Sequence, residues 1–177
     1  MATVNLSPSG TSANDWTVVG GSTAHEVLSD TSDSSAVRTQ DQNDRVVLTL
    51  DDFDNTRVLS IDSIRHYIRG FKHNTSGGDV DVQVKIQDSG AGDLYSETHH
   101  LLFNSYVPQD YYGTVRTTST VPGVAWTDGD LDGLILEINT TPEDPDGVSY
   151  ANVVKAYVEV TYTLASADNA IFFGTNF

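Results

Sequence analysis

Cysteine is absent from this 177-residue chain. That excludes disulfides, thiolate metal sites and cysteine nucleophiles. Only three lysines occur, Lys72, Lys85 and Lys155. No apolar run approaches the ~18 residues of a membrane-spanning helix. The first residues, Met-Ala-Thr-Val-Asn-Leu-Ser, offer neither a basic n-region nor an apolar h-region, so no signal peptide is expected. No segment holds a helical period over ten or more residues, which excludes a helical domain. The nucleophile-elbow pattern G-x-S-x-G is missing, and no catalytic triad can be assigned.

Basic charge is also scarce. Lys+Arg number 9 against 25 Asp+Glu, a net of -16, and the acid is mostly aspartate. A nucleic-acid or anionic-membrane partner needs a basic footprint, so neither is expected. One reading of such acidity is ordinary solubility. The other is adaptation to molar salt, where screening removes self-repulsion. Many aspartates with few lysines favour the second, and a halophilic source follows from charge alone.

What is present is alternation. Val46, Leu48 and Leu50 share one side of a strand, and Val80, Val82, Val84 and Ile86 one side of another. Leu134, Leu136 and Ile138 alternate in the same way. Val154, Ala156, Val158, Val160 and Tyr162 give the inward side of a final strand. Val58 to Phe71 is long and rich in Ile, Tyr and Phe; its inward phase is left open, and a bulge is expected. Tyr106 to Tyr112 reads as a connection, and Gly113 to Thr120 as a strand. The expected fold is all-β, an antiparallel β-sandwich of jelly-roll type with extended terminal arms. Residues 1–15 form an N-terminal arm, 16–163 the sandwich and 164–177 a C-terminal docking arm. The last stretch, Ile171-Phe-Phe-Gly-Thr-Asn-Phe177, needs a groove to cover its aromatics. Val4, Leu6, Ile171, Phe172, Phe173 and Phe177 are the expected partner-docking residues.

The densest stretch is Val121 to Leu134. Thr127-x-x-Asp130 is close to a helix capping box. Trp126, Leu131 and Leu134 read as a plug at one end of the sandwich. Asp128-Gly-Asp-Leu-Asp-Gly133 matches the start of a calcium loop, but Asn139 stands where a bidentate Glu is needed, and a strand follows. Asp128, Asp130 and Asp132 are left as weak cation candidates, and no cofactor is expected. Glu143, Asp144 and Asp146 form a second acidic group. His99 and His100 are neighbours on a strand and point to opposite faces, so they cannot chelate one metal. His25, His66 and His73 add no ligand spacing. A carboxylate pair for glycoside hydrolysis cannot be singled out among so many aspartates. Tyr106, Tyr111 and Tyr112 suit carbohydrate or protein contact at a surface, or a sheet edge or subunit interface.

Several of these residues carry a family pattern. They are Trp16, Asp30-Thr31-Ser32-Asp33, Pro122-Gly123, Ala125-Trp126-Thr127, Asp130-Leu131-Asp132, Leu134 and Tyr157-Val-Glu-Val-Thr-Tyr162. Over residues 16–163 the chain resembles small β-sandwich structural proteins of tailed phages and tailed archaeal viruses. The resemblance implies a non-enzymatic virion component, most simply a capsid decoration (cement or turret) protein located in the virion. Its implied partners are the major capsid protein and copies of itself, in a trimer. A tail, baseplate or fibre module of the same virion is the near alternative. A carbohydrate-binding module using exposed Trp or Tyr, and a calcium-dependent adhesin, are alternatives of a different class.

Overall fold

The computed structural model describes residues 1–74, 80–88, 92–103, 106–119, 123–141 and 149–165. Along the chain run β1 (Ala2–Leu6), β2 (Pro8–Asn14), β3 (Thr17–Val19), α1 (Ala24–Ser29), β4 (Ala36–Thr39) and β5 (Arg45–Leu50). Then come β6 (Val58–Lys72), β7 (Val80–Gln87), β8 (Asp93–Leu101), β9 (Gln109–Tyr112), α2 (Asp128–Leu131), β10 (Ile135–Thr140) and β11 (Ala151–Leu164).

The strands form two antiparallel sheets. One has the order β3-β4-β11-β6-β9, with β1 also on β11; the other has the order β2-β5-β10-β7-β8. Four pairs are nested: β4 with β11, β5 with β10, β6 with β9, and β7 with β8. Successive pairs alternate between the sheets. This is an antiparallel β-sandwich of jelly-roll type, as expected from the alternation.

Period-two patterning fixes which side chains face inward. β7 alternates buried and half-buried from end to end, with Val80, Val82, Val84 and Ile86 in the core. Leu136 and Ile138 on β10 lie between them and Val46 and Leu48 of β5. From the facing sheet come Ile64 and Ile68 of β6 and Val153, Ala156, Val158 and Val160 of β11. The bulge expected in β6 is present, as a shift in pairing between Thr161 and Tyr162 of β11 opposite Ser63 and Ile61.

Several expectations need correction. The N-terminal residues are strands of this domain. β2 lines up on β5, and β1 pairs with β11 from Ala2↔Tyr162 to Leu6↔Val158. Leu6 is buried in the core and Val4 packs against it, so both are engaged within the chain rather than held out for a partner. Tyr106 to Tyr112 is partly strand, as β9. Gly113 to Thr120 is not a strand; its described residues make a single bridge, Arg116↔Ile64. Val154 falls in the bulge between Val153 and Lys155, so it is buried without joining the central cluster. Tyr162 is half-buried against the core edge and meets Phe53 edge-on at 5.5 Å. After Gly21 the chain forms the short helix α1. Thr23 caps it: the Glu26 amide donates to the Thr23 hydroxyl and the Thr23 amide to the Glu26 carboxylate. Ile171, Phe172, Phe173 and Phe177, and the acidic group Glu143, Asp144 and Asp146, lie outside the described residues.

Candidate functional site

The two outer faces of the sandwich differ in kind. On the five-stranded sheet, Glu137 of β10 sits 3.1 Å from Lys85 and 4.0 Å from Arg45, an ion cluster on strands without tyrosine. On the six-stranded sheet the outward residues of β6 are Arg65, Tyr67, Arg69 and Phe71, since Ile64, His66 and Ile68 point inward. Register does the rest. Tyr67 lies opposite Tyr112 of β9 on one side and Tyr157 of β11 on the other.

The three rings therefore stand in a row across three strands. Tyr67 and Tyr157 stack at 4.4 Å with 19° between planes, and Tyr67 and Tyr112 are 5.0 Å apart at 58°. Tyr67, held between its neighbours, is buried although it faces outward; Tyr112 is 47% exposed. Arg65 places its guanidinium 4.5 Å over the Tyr112 ring. The same Arg65 donates to Glu159 at 2.6 Å.

Beside the row, Arg69 forks between two carboxylates, Asp33 at 2.8 Å and Asp110 at 2.6 Å. Tyr67 donates its hydroxyl to Asp110 at 2.7 Å. Burial and that acceptor both push the Tyr67 phenol up. The Tyr67 hydroxyl and Arg69 hold Asp110 below the usual carboxylate range, and the Arg69 hydrogen bond does the same for Asp33. These groups border a cleft of about 270 Å³, lined by Asp30, Ser32, Asp33, Tyr67, Arg69 and Lys155 among others. Asp33 comes from the polar loop after α1. The cleft lies at the gap between the β4 and β1 pairings of β11, which end at Val153 and Val158, where β11 pairs with β6 on its other side.

Elsewhere along β6 the aromatics continue. Phe71, His73 and Phe103 gather around Tyr106, with ring separations of 6.4, 4.9 and 5.5 Å.

The tyrosine triplet expected from sequence is divided. Tyr112 joins the outer row, Tyr111 turns inward toward His99, and Tyr106 sits 55% exposed at a positive φ of 64°. Sequence reasoning missed Tyr67 and Tyr157. Tyr157 was within reach, as the outward residue between inward Ala156 and Val158. Tyr67 was not, because its strand's phase was open.

The plug residues lie in the core: Trp126, Leu131 and Leu134 are all buried. Trp126 donates its indole N–H to the Arg116 carbonyl at 2.9 Å. The capping box is formed, with Thr127 accepting from the Asp130 amide and Asp130 accepting from the Thr127 amide at 2.7 Å. Asp128 accepts from Asn55 at 2.6 Å, and Asp132 ends the helix. Asp128 and Asp130 are thus turned to separate hydrogen bonds and do not converge. Among the described residues no three His, Asp or Glu side chains are grouped to hold a metal.

His99 and His100 do face opposite ways. His100 meets Asp81 outside at 2.7 Å, while His99 points between the sheets. There its Nε2 lies 2.6 Å from Nε2 of His66, which is fully buried on β6. The rings meet edge to face at 4.9 Å.

No family model matches the chain, and no curated protein does. Solved structures share its architecture. One is the CBM36-1 domain, a carbohydrate-binding module, of a multidomain xylanase from the hindgut metagenome of Trinervitermes trinervoides, at 14% identity and TM-score 0.45 over 90% of this chain and 95% of that one. A CBM4 structure is similar at 10% identity and TM-score 0.42, over 90% and 94%. The CBM22-1 xylan-binding domain from Paenibacillus barcinonensis Xyn10C is similar at 11% identity and TM-score 0.41, over 93% and 95%. The decoration-protein reading is corrected here: these solved structures of the same sandwich class are carbohydrate-binding modules, not virion proteins. The motifs behind that reading describe how such a sandwich is capped and plugged, through Trp126, Thr127 and Leu131, and carry no partner with them.

Proposed function

We propose that this chain is a non-catalytic binding module for uncharged, hydroxyl-rich glycans, and that the Tyr112–Tyr67–Tyr157 row is where a sugar chain lies. The observation that carries the reading is the row itself: three tyrosines in mutual contact on an outward sheet face, bordered by fixed charged hydrogen-bonding groups. A pyranose ring has C–H faces that pack on aromatic carbon and hydroxyls that need polar partners. Tyrosine supplies the first with a wet hydroxyl at low entropic cost. Asp110, Asp33 and Glu159 supply acceptors, and Arg69 and Arg65 supply donors in planar forks.

The charge pattern supports an uncharged ligand. The two arginines beside the row are already matched by carboxylates, Arg65 by Glu159 and Arg69 by Asp33 and Asp110, and the Lys155 charge at the cleft acts on Asp33. The surrounding protein carries -16, which repels polyanions at long range.

Native-gel affinity electrophoresis against soluble neutral glycans and a polyuronate tests this. Retardation is expected in a neutral glycan and absent in the polyuronate. Tyr112→Ala and Tyr157→Ala are expected to weaken it about tenfold each, in line with the loss of one desolvated aromatic contact. Failure of a broad neutral-glycan panel to retard the protein overturns the reading. So does retardation that both variants leave intact.

A further inference from the structure

We propose that His66 and His99 form an acid-release latch between the two sheets, closed when both imidazoles are neutral and opened by proton uptake. His66 comes from β6 of one sheet and His99 from β8 of the other, and their 2.6 Å contact is a side-chain hydrogen bond across the interior. A single such bond needs one Nε2 protonated and the other bare.

The surroundings make any further proton costly. The Nδ1 of His66 is buried and has no partner. If His66 takes a proton, that atom becomes an N–H with no acceptor. If His99 takes it, His99 must donate through Nε2. His66 then carries its own hydrogen on Nδ1, again without an acceptor. When both are charged, two N–H groups face each other where one bond stood. An unpaired buried donor costs its full desolvation.

The groups packed around the pair do not compensate. From β8, Tyr95 stacks on His66 at 5.9 Å, and its hydroxyl accepts the His66 amide at 3.1 Å. Also from β8, Glu97, bound to the Thr114 amide at 2.8 Å and to the Thr114 hydroxyl, favours protonation of both rings but is outweighed by their burial. Arg116 stands 5.0 Å over Tyr95 and adds positive charge. Tyr111 of β9 lies 5.8 Å from His99. Val158 of β11 and Val82 of β7 are the paired neighbours of His66 and His99, and neither titrates. Gly113 lies against the His66 ring itself and donates its amide to the His66 carbonyl.

Burial, with the nearby His99 second, lowers the His66 pKa from 6.5 to about 4, and burial lowers His99 as well. Both rings therefore hold fewer protons folded than unfolded. Their contribution to stability is complete above pH 6.5 and is lost as pH falls toward 4. The latch also bears on the site. The residue after His66 is Tyr67, and Gly113 follows Tyr112, so opening it loosens two strands of the tyrosine row. Only this last consequence rests on the glycan reading.

Imidazole nitrogen NMR on the intact chain from pH 8 to 3.5, with thermal unfolding at each pH, tests the latch. His66 and His99 are expected to stay neutral through pH 6.5 and to take up protons only as melting falls. His99→Gln keeps a hydrogen-bonding group but does not titrate; its melting temperature is expected to fall several degrees less across the same range. Ordinary titration of both rings near 6.5 overturns the proposal. An identical melting profile in the variant also overturns it, and if the variant fails to fold, the NMR titration of the unaltered chain decides alone. Glycan retardation measured in parallel is expected to weaken with acid in the unaltered chain more than in His99→Gln. Its absence at every pH would sink the glycan reading and leave the latch to the NMR.

Discussion

Gly113 occupies no turn with positive φ, yet it admits no side chain. A Cβ built there would overlap the His66 imidazole, which is fully buried and has nowhere to go. Gly113→Ala is therefore expected to destabilise the fold by about 1–3 kcal/mol, the usual cost of overpacking. That corresponds to a fall in melting temperature of roughly 2–12 °C for a domain of this size. Gly92→Ala is the matched control, since a Cβ there meets nothing within 4 Å; its melting temperature is expected to stay within a degree or so of the parent. Nothing in the sequence marks Gly113 as special. Its constraint is set by a histidine on another strand, a relation that exists only once the sheets are packed. The same holds for Tyr67. The residues around it alternate as Arg65, Tyr67 and Arg69 against Ile64, His66 and Ile68, but a histidine among the inward positions hides the phase.

Elements were legible where burial is one-sided and long. β7 and most of β11 read directly from alternation, and β5 and β10 from their inward residues, although Val47 and Glu137 on the outer side are buried as well. Strands that are short or carry no run of large apolar residues were not legible. β2 is Pro-Ser-Gly-Thr-Ser-Ala-Asn, an edge strand with no large apolar residue. β4 and β9 have four residues each, too few for a period to show. The α2 turn was readable because its cap is a local motif. Thr127→Ala removes the hydroxyl half of that capping box and keeps the backbone amide that donates to Asp130, and about 1 kcal/mol of stability is expected to go with it. Thermal melts check this, with an expected loss of roughly 2–4 °C and an unchanged tyrosine site. A loss of glycan retardation in that variant would instead tie the α2 turn to binding.

At the scale of the molecule, a net charge of -16 repels itself, while the arginines of the tyrosine row are held in ion pairs with Glu159, Asp33 and Asp110. Salt should therefore act on the two properties differently. Raising KCl from about 0.05 to 1 M shortens the screening length from over 10 Å to about 3 Å, and the melting temperature is expected to rise. Affinity for an uncharged glycan is expected to change less than threefold over the same range, because no net charge meets the ligand. Isothermal titration at both salt concentrations checks this, and a steep salt dependence would argue for an ionic ligand. The pairing of β1 with β11 carries a different consequence, for the order of events in time. Among the described residues, the first strand of the sandwich finds its partner in the last. Ala2–Leu6 must wait, unpaired, until Val158–Tyr162 has left the ribosome, and β4 and β6 wait for the same strand. Closure of the six-stranded sheet therefore depends on long-range loop closure, which makes folding slow. A nascent chain halted before β11 carries Tyr67 and Tyr112 but lacks both Tyr157 and the strand that joins β4 to β6.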